Sequence, residues 1–124
     1  MKEYSLLLVP LKDIPSDQVV YYYNAADVTL LTSLHEGSPN VIKEAMACNC
    51  PIVSTDVGDV KDVIADTDGC YITTYDPKDV VEKIKMALEF GKRTKGRERI
   101  VQAGLDSKTI ANKIINIYHQ VLKS

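Results

Sequence analysis

An α/β fold, a parallel sheet flanked by helices, is what this sequence predicts, and three observations predict it. Short apolar runs of strand type alternate with stretches of helical spacing. Strand candidates are joined through a loop and a helix, a connection that builds parallel pairs. Turn residues punctuate that pattern at Pro15, Gly37, Asn49, Pro51, Gly58, Gly69 and Gly91. With 124 residues, 45% of them hydrophobic, the chain is one domain by size and can bury a moderate core.

The elements follow in order. Tyr4 to Val9 reads as a strand, and Lys12 to Ser16 as a loop with Asp13 and Pro15 as turn residues. Ser16 caps a helix over Asp17 to Asn24 that carries Tyr21, Tyr22 and Tyr23. Three adjacent residues cannot share one helix face, so these tyrosines are core and rim packing rather than an aromatic platform. Val28 to Leu31 is a strand, Ser33 to Ser38 a polar loop, and Asn40 to Cys48 a helix. Ser38 suits the N-cap and Pro39 the first helical position, where its missing N–H is not needed. Asn49 ends that helix in a left-handed conformation, and Pro51 keeps it from resuming. Ile52 to Ser54 is the next strand, Asp59 to Ala65 a short helix, and Cys70 to Thr73 a further strand. Asp76-Pro77 opens a helix in which Val80, Val81, Ile84 and Leu88 keep helical spacing, and Gly91 ends it. Ser107 caps a final helix over Lys108 to Leu122.

Composition excludes several classes. The net charge of −2 gives no global attraction to nucleic acid, and no nucleic-acid partner is expected. No apolar run approaches the roughly 20 residues that span a bilayer, so the chain reads as cytoplasmic, with the inner face of the membrane as a variant of that placement. Cys48, Cys50 and Cys70 are an odd number without the spacing of a zinc site, and are read as small apolar or turn residues in a reducing compartment. His35 and His119 have no companions that would make a metal site. KRTKGRER, residues 92–99, holds five basic residues and one acidic. The bold reading is binding to nucleic acid or to a phosphorylated lipid surface, the latter as a peripheral membrane contact. The plain one is a solvated connector beyond a helix C-terminus.

The chemistry gathers at residues 28–58. Ligands of parallel sheets sit at the carboxyl ends of the strands, and here that place holds Glu36, Gly37 and the open N-terminus of a helix. Free N–H groups and the helix dipole favour an anion such as phosphate, and Gly37 lets it approach the backbone. Glu44 stands about 7–8 Å behind the helix start, at roughly 1.5 Å per residue. Carboxylates accept hydrogen bonds from sugar hydroxyls, so this spacing suits a sugar–diphosphate–ribose ligand.

At these residues the chain resembles a known family. Glu36, seven intervening residues and Glu44 match the E-x7-E signature of retaining glycosyltransferases with the GT-B fold, especially family 4, the glycosyl transferases group 1. The wording EGSPNVIKEAMACNCPIV, with NAADVTLLTS before it and STDVG after it, carries more than the two glutamates alone. The resemblance implies a Rossmann-like sheet and the later part of the C-terminal, donor-binding domain. It assigns Glu36, the candidate catalytic residue, to the hydroxyls of the donor sugar. Gly37, Ser38, Pro39, Asn40 and Val41 line the loop, with the amides of Ser38, Asn40 and Val41 as donors, and Glu44 holds the ribose. The donor is a nucleotide-diphosphate sugar, with no metal or other cofactor. The acceptor is a sugar, lipid or glycan, in cell-envelope or exopolysaccharide synthesis by family habit.

Three departures accompany the match. The family's G-G-x-x-E stands here as Gly58, Asp59, Val60, Lys61 and Asp62, which puts ligand contact by that second loop in doubt. The family's N-terminal, acceptor-binding domain and its Arg/Lys pair for the leaving diphosphate are expected to be absent, leaving these residues inactive alone. In the family's strand order 3-2-1-4-5-6 the chain supplies strands 3 to 6. Either the first strand moves in beside Val28 to Leu31, or an edge stays open and invites a homo-oligomer.

Other readings are a non-catalytic nucleotide-sugar-binding module or truncated remnant, and a sugar-nucleotide epimerase of the same fold. A glycoside hydrolase would need carboxyl groups about 5–5.5 or 6.5–9.5 Å apart across one bond, and the sequence context speaks against it. Taken without that context, Glu36 is an ordinary helix-entry acid and Glu44 a surface helix residue.

Overall fold

Three short strands pair in parallel at the centre of the molecule. The computed structural model describes residues 5–37, 39–105 and 108. Its elements are α1 (Ser16–Ala25), β1 (Thr29–Leu31), α2 (Asn40–Ala47), β2 (Ile52–Thr55), α3 (Val60–Ile64), β3 (Cys70–Thr73), α4 (Pro77–Phe90) and α5 (Gly96–Gln102). The sheet order is β1-β2-β3, with Thr29 opposite Ile52 and Ile52 opposite Cys70. This is the Rossmann-like α/β arrangement expected, and it agrees with a domain of the GT-B fold.

β2 is the central strand and is buried along its whole length, as a parallel strand covered on both faces must be. Its core includes Tyr23, Ile42, Ala45, Met46, Ile52, Val60, Val63, Ile64 and Ile100. α2 brings Ile42, Ala45 and Met46 to it, a helical stripe at the three- and four-residue spacing of one face. Asn49 takes φ 57° at the end of α2, the left-handed stop expected there. The Asp76 side chain accepts from the Lys78 N–H at 3.0 Å, and Gly91 closes α4 at φ 66°. Of the three tyrosines, Tyr23 is 1% exposed and Tyr21 71%, so they divide between core and rim.

Four expectations need correction. Residues 5–10 form no strand, and Leu7 and Leu8 are 89% and 77% exposed. A strand is held by its ladder, and among the described residues no strand pairs with this segment. Among the described residues β1 pairs with β2 alone, so the open-edge alternative holds rather than an inserted first strand. Pro39 precedes α2 instead of starting it: its ψ of 121° is extended, and its carbonyl accepts from the Ile42 N–H at 3.2 Å. Proline's fixed φ suits either position, and ψ decides between them. Ser16 opens α1 as a helical residue, with Pro15 as the cap. Ser38, Ser107 and the expected final helix beyond Lys108 lie outside the described residues.

The fourth correction concerns the basic segment, where α5 replaces the expected connector. Arg93 donates to the Ala26, Tyr23 and Cys48 carbonyls at 2.8, 2.9 and 2.9 Å. Arg97 donates to the Ala47 carbonyl at 2.7 Å, and Arg99 to those of Asp62 and Val63 at 2.8 and 3.2 Å. These carbonyls belong to the last turns of α1, α2 and α3 or lie just past them, where a helix has no N–H donor of its own left for them. The arginines thus join three helix ends, and α5 docks on α2 so closely that a Cβ on Gly96 would lie 2.7 Å from the Met46 carbonyl oxygen.

Candidate functional site

The site forms where the loops after β1 and β2 meet, at the carboxyl ends of the strands. A cleft of about 560 Å³ opens there, lined by Leu34, His35, Glu36, Gly37, Asp56, Val57 and Gly58. Its two walls are fastened together by backbone. The Asp59 N–H donates to the Gly37 carbonyl at 3.0 Å. Gly58 takes φ +52°, and a Cβ there would lie 2.0 Å from the Gly37 carbonyl oxygen. Only glycine permits both that conformation and that approach. The second loop, altered from the family pattern, therefore supports the first.

Glu36 is exposed on the cleft, and one of its oxygens accepts from the Ser33 hydroxyl at 3.2 Å. Ser33 is itself pinned, since its carbonyl accepts from the Thr55 hydroxyl at 2.9 Å and from the Tyr75 hydroxyl at 2.7 Å. Residues at the ends of β2 and just past β3 thus hold the turn that presents Glu36. A Cβ on Gly37 would meet nothing within 4 Å, so the space beside that residue is open.

Glu44 lies on α2, half-buried and away from the cleft lining. It accepts from the Tyr23 hydroxyl at 2.9 Å. Burial, and after it the Glu44 carboxylate, push the ionisation of Tyr23 far above the ordinary phenol range. The hydroxyl therefore remains a donor at any working pH.

The sequence-predicted residues divide accordingly. Glu36 and Gly37 line the cleft, and Asn40 is exposed at the start of α2. Pro39 is buried, and Val41 packs against the core, which leaves its backbone rather than its side chain for a ligand. Ser38 lies outside the described residues. Ser33, Thr55, Tyr75 and Tyr23, which hold the two glutamates, carry no motif that marks them as site residues. Tyr75 is 42 positions from Ser33, and no local pattern announces such a pairing.

Among the described residues, no three His, Cys, Asp or Glu side chains gather where they could hold a metal ion, and no helix is long and apolar enough to cross a membrane. The three cysteines are free thiols, with Cys48 and Cys50 buried. Burial pushes the Cys70 thiol up to about 12, which leaves it unreactive at neutral pH.

A parallel α/β domain with paired loops and Glu36 at its strand ends, followed by a helix that carries Glu44, fits the sugar-transferring enzymes. The chain belongs to the family described as Glycosyl transferases group 1, whose profile matches residues 10–107. It is 32% identical over 110 residues to the N,N'-diacetylbacillosaminyl-diphospho-undecaprenol alpha-1,3-N-acetylgalactosaminyltransferase of Campylobacter jejuni, covering 86% of this chain and 29% of that protein. It is 47% identical over 47 residues to the putative teichuronic acid biosynthesis glycosyltransferase TuaC of Bacillus subtilis, covering 38% of this chain and 12% of the relative. A D-inositol 3-phosphate glycosyltransferase of Thermobifida fusca is 32% identical over 92 residues, covering 73% of this chain and 20% of that enzyme. The chain thus spans less than a third of these curated relatives. No solved structure matches it.

Proposed function

We propose that these residues are the donor-binding part of a retaining glycosyltransferase that moves a sugar from a nucleoside-diphosphate sugar to an envelope or exopolysaccharide acceptor. The observation that carries the reading is the cleft at the strand ends, with Glu36 fixed on its wall and open space beside Gly37. Glu36 holds hydroxyls of the donor sugar, amides at the start of α2 meet the diphosphate, and Glu44 takes the ribose. The nucleotide sugar is a substrate, and the reading assigns no metal to these residues. Transfer breaks the bond from the sugar's anomeric carbon to the diphosphate and forms one to an acceptor hydroxyl. Two of the three relatives above carry a diphospho-undecaprenol or a teichuronic acid in their names, which supports a cell-envelope acceptor.

In this reading the acceptor and the cations that neutralise the leaving diphosphate are met by groups outside these 124 residues. Groups aimed at developing charge contribute orders of magnitude in rate, so the isolated chain binds donor without transferring sugar. Titration with a panel of nucleoside diphosphates and their sugars tests the reading. Glu36→Gln should weaken the nucleotide sugar about tenfold and the bare nucleotide hardly at all, as loss of a charge-assisted hydrogen bond implies. Equal binding of both ligands by the variant and the parent would sink the assignment.

A further inference from the structure

Glu44 reaches the ribose in the reading above, but a glutamate on a helix surface has several rotatable bonds, and binding must order them. We propose that Tyr23 is a positioning residue that sets this orientation in advance, its buried hydroxyl holding one carboxylate oxygen of Glu44 so that the remaining lone pairs face the ribose hydroxyls of a nucleoside diphosphate. The inference rests on the assignment of Glu44 to the ribose.

Three observations carry it. Tyr23 is 1% exposed, so its ring cannot swing, and its hydroxyl lies 2.9 Å from Oε2 of Glu44. The two helices that bear the pair are locked to each other, because one nitrogen of Arg93, Nη2, donates to the Tyr23 carbonyl and to the Cys48 carbonyl just past α2, both at 2.9 Å. A carboxylate offers about four acceptor positions, and the phenol uses one of them. Tyr23 stands 21 positions before Glu44, on a helix that none of the cleft-lining residues belongs to. It acts through Glu44 alone. A site built to bond a hydroxyl rejects the analogue that lacks it, so a fixed carboxylate should read ribose against deoxyribose.

The test is calorimetric titration of the full chain with UDP, GDP and ADP, each paired with its 2′-deoxy and 3′-deoxy counterpart. The unaltered chain should prefer a ribonucleotide over a deoxynucleotide. Tyr23→Phe should lower ribonucleotide affinity about three- to tenfold, the worth of one hydrogen bond, and leave deoxynucleotide affinity unchanged. Glu44→Gln should remove the preference, and adding Tyr23→Phe to it should change nothing more. Equal losses for both nucleotides in Tyr23→Phe, or a further loss in the double variant, would make Tyr23 merely structural and overturn the inference. No ribose preference in the unaltered chain would instead overturn the assignment of Glu44. If Tyr23→Phe does not fold, proton NMR of the parent decides: the buried hydroxyl resonance should move with the ribonucleotide and not with the deoxynucleotide, and an unmoved resonance refutes the proposal.

Discussion

Glu36 and Arg93 are both exposed charged side chains, and they differ in what their charges meet. Arg93 donates to three backbone carbonyls from two helix ends. Glu36 accepts from one serine hydroxyl and is otherwise exposed on an open cleft. The basic segment, the more conspicuous run of charge in the sequence, is taken up in assembling the molecule. Glu36 keeps its remaining acceptor positions for something outside. The difference teaches that a cluster of charge becomes a candidate site through what its partners leave unused, and that such partners can lie 70 positions away.

Breaking the structural side of that contrast should give the largest effect. Arg93→Ala removes three bonds and strands the carbonyls beneath, at a cost of about 3 kcal/mol in urea unfolding. Arg93→Lys should recover only part of this, because a point charge cannot reproduce the guanidinium fork. A variant as stable as the parent would show the arginine to be idle. Next comes the wall of the cleft. Gly58→Ala would drive a methyl into the Gly37 carbonyl, at about 2 kcal/mol of backbone strain. Nucleotide-sugar affinity should fall with it, and calorimetry would show whether cleft and fold fail together. Tyr75→Phe is milder: losing the bond to the Ser33 carbonyl should cost about 1 kcal/mol. It should loosen the turn carrying Glu36, so nucleotide-sugar binding should weaken while the melting temperature falls by about 3–5 °C.

The smallest effect is on pH dependence. The Thr74 amide first, and then the Thr74 and Lys83 side-chain interactions, hold the Asp79 carboxyl down from 3.8 to about 2. A carboxyl lowered in the folded state stabilises it above the unfolded value and loses that contribution as protons bind. The contribution of Asp79 should therefore be constant above about pH 4 and be lost between about pH 4 and 2, and Asp79→Asn should remove that part of the decline in acid titrations followed by circular dichroism. Self-association is a separate proposal. The open edge of β1 among the described residues, together with the exposed Leu7 and Leu8, should make the weight-average mass rise with concentration in sedimentation. A constant monomer mass would refute it.

Local chemistry was legible in the sequence wherever neighbours along the chain decide the outcome. Cys70–Thr73 and Pro77–Phe90 formed with the expected ends, because strand-type residues, an aspartate cap and a terminal glycine act within a few positions. So did the left-handed Asn49, and with it the family. What needed a partner elsewhere could not be read. Tyr4 to Val9 has strand composition, yet pairing depends on a second strand. Residues 92–99 look like a solvated connector until three helix ends arrive to accept their hydrogens. Glu36 and Glu44 stand out as a pair, but the groups that hold them, Ser33 through Thr55 and Tyr75, and Tyr23, come from four other parts of the chain. The sequence by itself determined the strand–helix alternation, the caps and the two glutamates, since these depend on spacing and backbone preference. The tertiary structure alone decided which charges are used internally and which face the cleft, because a hydrogen bond is settled by distances that only the packed chain defines.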